Sequence, residues 1–188
     1  MKKQAKQAVQ ILTLSIFCLT FAVGAQKNIW AASAGAIDAD VQATLQHFYE
    51  EVGEGKQIVK DAKGVLVFPS VIKAGIGLGG EYGEGALLVK DKTVDYYNTA
   101  AASIGLQLGA QKKSIIIIFT QKEALERFRA SSGWKAGVDA SIAVVTVGAG
   151  GAMDTAKLRE PILAFIIGQK GLMYNLTLEG AKFTKIRK

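Results

Sequence analysis

Residues Lys73–Lys90 read KAGIGLGGEYGEGALLVK. Within this stretch Gly75, Gly77 and Gly80 fit G-x-G-x-x-G, the spacing that holds a pyrophosphate against a helix N-terminus in dinucleotide-binding folds. That use requires a helix directly after the loop. Gly80 is instead followed by EYGEGALLV, where Gly83 and Gly85 would each cost a helix roughly 1 kcal/mol relative to alanine. Parity explains the segment better: Gly75, Gly77, Gly79, Gly83 and Gly85 are odd-numbered, while Ile76, Leu78 and Tyr82 are even. Alternate residues of a strand share a face, so one face here is nearly bare backbone. Such a face permits a sharp bend, a barrel corner, or close approach by another strand or a ligand chain. Gly79-Gly80 suits a bulge or bend.

The same pattern recurs in ASIGLQLGAQKKSIIIIF, where Gly105 and Gly109 share a face with Ser103, Gln107 and Gln111. Between the two glycine strands, LLVKDKTVDYYN predicts a hairpin with its turn near Asp91 and Lys92. Lys112-Lys113 predicts a further turn before an apolar strand from Ile115 to Phe119.

Upstream, Ile37, Val41, Leu45, Phe48 and Val52 recur at helical spacing, which predicts an amphipathic helix from about Asp38 to Val52, stopped by Gly53 and Gly55. A short helix or turn over Lys56–Ala62 leads to the strand GVLVF, ended by Pro69. Downstream, Thr120 and Glu123 form a capping box for a helix that faces the core with Leu125 and Phe128. WKAGVDASIAVVTVGAGGAM reads as another small-residue strand. PILAFIIGQKGLMYNLTLEG reads as two strands around a two-residue turn at Lys170-Gly171. About eight short strands with regular turn signals predict an α+β, mainly β domain: a curled antiparallel sheet, barrel- or sandwich-like, with one or two covering helices. A membrane-spanning barrel fits less well, because Ile115–Phe119 and Ile162–Ile167 are continuously apolar where porin-type strands alternate.

The first residues, MKKQAKQAVQILTLSIFCLTFAVGAQ, place Lys2, Lys3 and Lys6 before an apolar run and small residues. This is the order of a secretory signal peptide, and the run is shorter than the ~20 residues that span a bilayer. We expect residues 1–25 to be removed, with cleavage as late as Ala34 also compatible, a linker over 26–37 and one domain over 38–188. The expected localisation is periplasmic or secreted, with peripheral membrane contact. The single cysteine, Cys18, lies in the apolar run, so no disulfide or thiol nucleophile is expected in the mature chain.

Formal charge is +7 for the whole sequence and +4 once Lys2, Lys3 and Lys6 are removed, 20 basic residues against 16 acidic. The acids Asp38, Asp40, Glu50, Glu51 and Glu54 cluster early, and Lys182, Lys185, Arg187 and Lys188 close the chain. Such a tail reads either as a solvated terminus or as a contact for anionic head groups. Catalytic groupings are scarce. His47 is the lone histidine, so a zinc site or a Ser-His-Asp triad lacks partners, and it reads as a surface or boundary residue. Glu81 and Glu84 fall on opposite faces of a regular strand. Asp139 and Asp154 have no base, nucleophile or metal partner in their spacing. Asn175-Leu176-Thr177 fits the glycosylation triplet, and Trp30 and Trp134 read as interfacial anchors, with Trp134 equally suited to the core.

AKGVLVFPSVIKAGIGLGGEYGEGALLV, SIGLQLGAQKKSIIIIF, ALERF, GVDASIAVV and GQKGLMYNLTLEG, in this order, resemble the SYLF lipid-binding domain family. Eukaryotic SYLF domains are phosphoinositide-binding modules of membrane-trafficking proteins, and exported bacterial relatives are lipid-binding by name. The resemblance implies a non-enzymatic module that binds phospholipid or a membrane surface and needs no cofactor; no nucleic-acid partner is expected. This chain departs from the family in its acidic first helix, and in having Tyr96, Tyr97 and Asn98 where many members carry Trp and Pro. The lysines around the first glycine strand, Lys56, Lys60, Lys63 and Lys73, and the closing cluster Lys182, Lys185, Arg187 and Lys188 are the candidate lipid contacts. A structural or adhesive envelope protein, acting through protein contacts, is the alternative.

Overall fold

The computed structural model describes residues 32–145, 155–171 and 178–188. The first helix, α1 (Ala34–Glu51), starts where the Ser33 hydroxyl accepts the Ala36 N–H at 3.2 Å. It buries the predicted stripe of Ile37, Val41, Leu45 and Phe48, each contributing roughly 1.5–3 kcal/mol. A one-residue corner at Val52 and a short turn lead to α2 (Gly55–Asp61).

Two long strands come next, β1 (Gly64–Val89) and β2 (Lys92–Phe119), of 26 and 28 residues. They pair antiparallel from Gly64↔Phe119 to Val89↔Lys92. Their connection is a two-residue turn at Lys90 and Asp91, with φ of 51° and 61°. Positive φ at both central residues is the geometry that matches strand twist.

The pairing slips between Phe68 and Val71, between Ile76 and Leu78, and between Leu87 and Leu88. The middle slip is where the ribbon bends back on itself, and the glycines make that bend sterically possible. A Cβ on Gly75 would overlap the backbone of Leu78 and Gly79, and one on Gly85 would overlap the Val67 carbonyl. The bare face therefore receives β1's own earlier half. Gly77 and Gly105 lie at the same slip, Gly79 pairs with Ser103, and Gly109 pairs with Gly75.

The free edge of β2 carries two further strands, β5 (Ile162–Gly171) along Gln111–Phe119 and β6 (Lys182–Ile186) along Tyr96–Ala100. Beyond them lie β4 (Ala143–Val145), parallel to β5, and β3 (Trp134–Lys135), antiparallel to β6. A 3-10 helix, Thr155–Arg159, precedes β5. The architecture is α+β and mainly β, as the sequence predicts; among the described strands β4 and β5 pair parallel and the other pairs are antiparallel.

Each face of the sheet has its own core. On the outer face α1 covers Val65, Val67, Ala86, Leu88, Ile116, Ile118, Leu163 and Phe165, with Phe48 edge-on to Phe165 at 4.9 Å. The inner face gathers Leu66, Phe68, Leu87, Tyr97, Ile115, Ile117 and Phe119 beneath α3 (Lys122–Ala130). Phe128 of α3 sits 4.9 Å from Tyr97 and 5.0 Å from Phe119, and 5.6 Å from the buried Trp134. Asp38 ties α1 to the hairpin, accepting from the Thr93 and Tyr96 hydroxyls at 2.9 and 3.0 Å.

Several local expectations fail for identifiable reasons. Lys112-Lys113 is no turn: β2 runs through it, with Lys112 exposed and Lys113 buried against an acid on the inner face. Lys170-Gly171 is strand, paired to Lys112 and Gln111, and the irregularity falls at Gly168, whose φ is +61°. The capping box does not form, because Thr120 Oγ1 donates to the Glu160 carbonyl at 2.7 Å and Gln121 takes the N-cap position. The basic close of the chain supplies a strand, held by its register on β2 and by buried Phe183. Within its described part, residues 134–145, the small-residue strand after Gly133 is interrupted, forming β3 and β4. The signal-peptide run, Trp30, residues 146–154 with Asp154, and the Asn175 triplet lie outside the described residues.

Candidate functional site

The short α2 and the β-hairpin turn face each other across the end of α1, and a groove of about 350 Å³ runs between them. Its floor is apolar, made by Leu45 of α1, Val59 of α2 and Ala62 just after it, and Val65 and Leu88 of β1. Lys56 and Lys60 stand one helical turn apart on α2, so both reach the same rim, and Lys90 enters from the hairpin turn. All three lysines are exposed. Among the described residues, Asp91 is the one acid lining the groove. Tyr49 also lines it, and partial burial, followed by the Asp91 charge, pushes its phenol above the ordinary tyrosine range.

An apolar trough rimmed by three cations and one acid offers separate places for a hydrocarbon surface and for an anionic group. Charge in such a rim acts over roughly 10 Å at moderate salt. The flexible lysine stems can lie along the trough while their ammonium groups stay in water.

Of the lysines named from sequence, Lys56 and Lys60 are brought together here. Lys63 is exposed just before β1, where its N–H donates to the Phe119 carbonyl at 2.8 Å. Lys73 is only 5% exposed, on the inner face of the sheet. The closing cluster lies at the opposite edge of β2 from β1, and part of it is neutralised. Lys185 pairs with Asp95, and Lys188 Nζ reaches Glu84 Oε2 at 2.7 Å. Lys182 and Arg187 are exposed. Lys90 was not legible as a site residue, although its place at the hairpin turn was one residue from the predicted one.

The carboxylates remain apart. Glu81 bonds Lys113 on the inner face, whereas Glu84 accepts from the Tyr82 hydroxyl at 3.0 Å on the outer one. Asp139 accepts the Lys135 N–H at 2.6 Å and shapes the turn after β3. His47 is exposed, with Nε2 3.0 Å from Glu51.

Residues 100–188 match the family described as Ysc84, Las17-binding protein actin regulator. The match takes in just under half of the chain and supports the SYLF family. No curated protein matches it. The SYLF match begins within β2 and takes in α3 and β3 to β6, so the hairpin turn and the groove lysines precede it in sequence.

Proposed function

We propose that this protein is an exported, non-catalytic module of the SYLF family that binds phospholipid or a phosphoinositide-like amphiphile. The observation that carries this reading is the groove between α1, α2 and the β-hairpin turn, with its apolar floor and its rim of Lys56, Lys60 and Lys90. A headgroup phosphate takes charge-assisted hydrogen bonds from the lysines, and the upper acyl chain or glycerol region lies on Leu45, Val59, Val65 and Leu88. The acidic face of α1 limits how strongly the rest of the surface is drawn to an anionic membrane, so recognition concentrates at the groove. The N-terminal run with its three leading lysines supports export, and the protein then works at the outer face of the cell membrane or in the periplasm.

Native mass spectrometry of the protein purified from its own host, with organic extraction of whatever copurifies, tests the reading. Phospholipid at near-stoichiometric amount is expected. A protein partner bound in fixed ratio, with no lipid, would support instead the reading that the family description raises for its namesakes, a module acting through protein contacts.

A further inference from the structure

The inner face of the bent hairpin carries a second feature, across the sheet from α1 and its groove. Val71, Ile115 and Tyr97 form its apolar base. Next along the strands comes a polar layer. Lys73 and Gln111 are register partners on β1 and β2, and Lys113 comes after Gln111 on the same face. Glu81 reaches across from the other half of the ribbon to Lys113 at 3.0 Å. Thr99, paired with Gly83, is the diagonal neighbour of Glu81. Lys73, Gln111, Lys113 and Thr99 are 5%, 2%, 2% and 0% exposed.

Two imbalances distinguish this layer from ordinary core. The first is charge. Among the described residues, two largely buried lysines, Lys73 and Lys113, share this layer with one carboxylate, Glu81. Asp95, on the same face of β2, is already held by Arg129 and Lys185, and Glu84 by Lys188. Lys73 has no hydrogen-bond or ion-pair partner among the described residues. A lysine whose stem is buried here and whose charge has no counter-charge beside it offers an anion a partner.

The second imbalance is hydrogen bonding. Both polar ends of the Gln111 side chain, Thr99 Oγ1 and Gln169 Nε2 are buried without a partner among the described residues. Gln169 stands by Lys113, at the bulge between the Ser114–Ile167 and Lys112–Lys170 pairs. Native folds rarely leave so many buried polar atoms unmatched in one place.

The geometry points to a binding site for one phosphate group in this layer, free or carried on a headgroup. The Lys73 ammonium, the Gln111 and Gln169 amides and the Thr99 hydroxyl supply donors to its oxygens. Gln111 Oε1 accepts from the hydroxyl of the monoanion, and the negative charge balances Lys73. Entry is from the bent end of the ribbon, where Gly109 is exposed and a Cβ built on it meets nothing within 4 Å. This site does not depend on the groove, and its test is run without a membrane.

The purified protein is titrated with sodium phosphate at constant ionic strength, chloride being the replaced anion, and separately with micelle-free dihexanoyl phosphatidic acid. Thermal midpoint and the Gln111 side-chain amide resonances are followed. A saturable rise of several degrees and a shift of those resonances are expected with at least one ligand. Response to inorganic phosphate assigns a free anion, and response to phosphatidic acid alone assigns a headgroup. Lys73→Met is expected to abolish the response while leaving the midpoint in chloride equal or higher, since an uncompensated charge is removed. Gln111→Leu is the second variant, with the same expectation. No response to either ligand, or a response unchanged in both variants, overturns the proposal.

Discussion

Lys113 Nζ lies 3.0 Å from Glu81 Oε2, with both side chains under a tenth exposed and 32 positions apart in the chain. The pair fastens the first half of the bent ribbon, through β2, to the second half. Breaking a buried pair leaves a charge without water or partner, at a cost of about 3–5 kcal/mol. Glu81→Gln or Lys113→Met alone should therefore lower the thermal midpoint by roughly 6–20 °C for a domain of this size. The combined change Glu81→Leu with Lys113→Met should recover most of the loss, because no charge remains buried. Calorimetry of the three variants checks this, and equal losses in the double variant and in the singles would refute it.

Gly85 and Gly80 sit in one glycine-rich segment and should respond oppositely to the same methyl group. The Val67 carbonyl occupies the space a Cβ on Gly85 needs, whereas one on Gly80 meets nothing within 4 Å. Gly85→Ala must push the two halves of β1 apart, at about 1–3 kcal/mol or more. Gly80→Ala should stay within about 0.5 kcal/mol of the parent. Urea unfolding of both variants measures the contrast.

Tyr97 is buried with its hydroxyl unpartnered among the described residues, and burial, reinforced by the Asp95 charge, pushes its phenol up to about 12. The folded state thus keeps the proton to a higher pH than the unfolded chain, which releases it near pH 10. Between pH 10 and about 12 the unfolded state binds fewer protons, so stability falls as pH rises. Below pH 10 the contribution is fully present. Tyr97→Phe should flatten this alkaline limb. It should also hold or raise stability at neutral pH, by up to about 1 kcal/mol, since an unmatched buried hydroxyl disappears. Unfolding free energies measured across pH 8–12 decide the matter.

Much of this architecture was readable from residue order. The stripe Ile37, Val41, Leu45, Phe48 fixed α1, and the parity of Gly75, Gly83 and Gly85 identified a bare strand face. What parity could not reveal was the occupant of that face, since a glycine admits a ligand chain or a backbone equally well; contact with Val67 and Val71 decides for the chain's own strand. Strand length was also hidden. Lys112-Lys113 resembles a turn because two adjacent lysines normally mark solvent, and only the partner Glu81, far away in sequence, makes burial of Lys113 tolerable. The same holds for Lys73, a rim lysine by sequence position and an inner-face residue by register. Lys56 and Lys60 were legible because helical spacing alone puts them on one side. Lys90 joined them only once the hairpin turn was placed beside α2.

The central claim, that the groove rimmed by Lys56, Lys60 and Lys90 recognises anionic lipid, is tested most directly by vesicle co-sedimentation. The purified protein is compared with the variant carrying Lys56→Glu, Lys60→Glu and Lys90→Glu, on phosphatidylcholine vesicles with and without phosphatidylglycerol or a phosphoinositide. Each lysine near an anionic surface contributes about 1 kcal/mol, so the triple reversal should weaken binding at least ~100-fold, and raised salt should weaken the parent. Reversal of Lys182 and Arg187, at the far edge of β2, should have a much smaller effect. Binding of the triple variant equal to the parent, or no parent binding to any vesicle at low salt, would contradict lipid recognition by this groove.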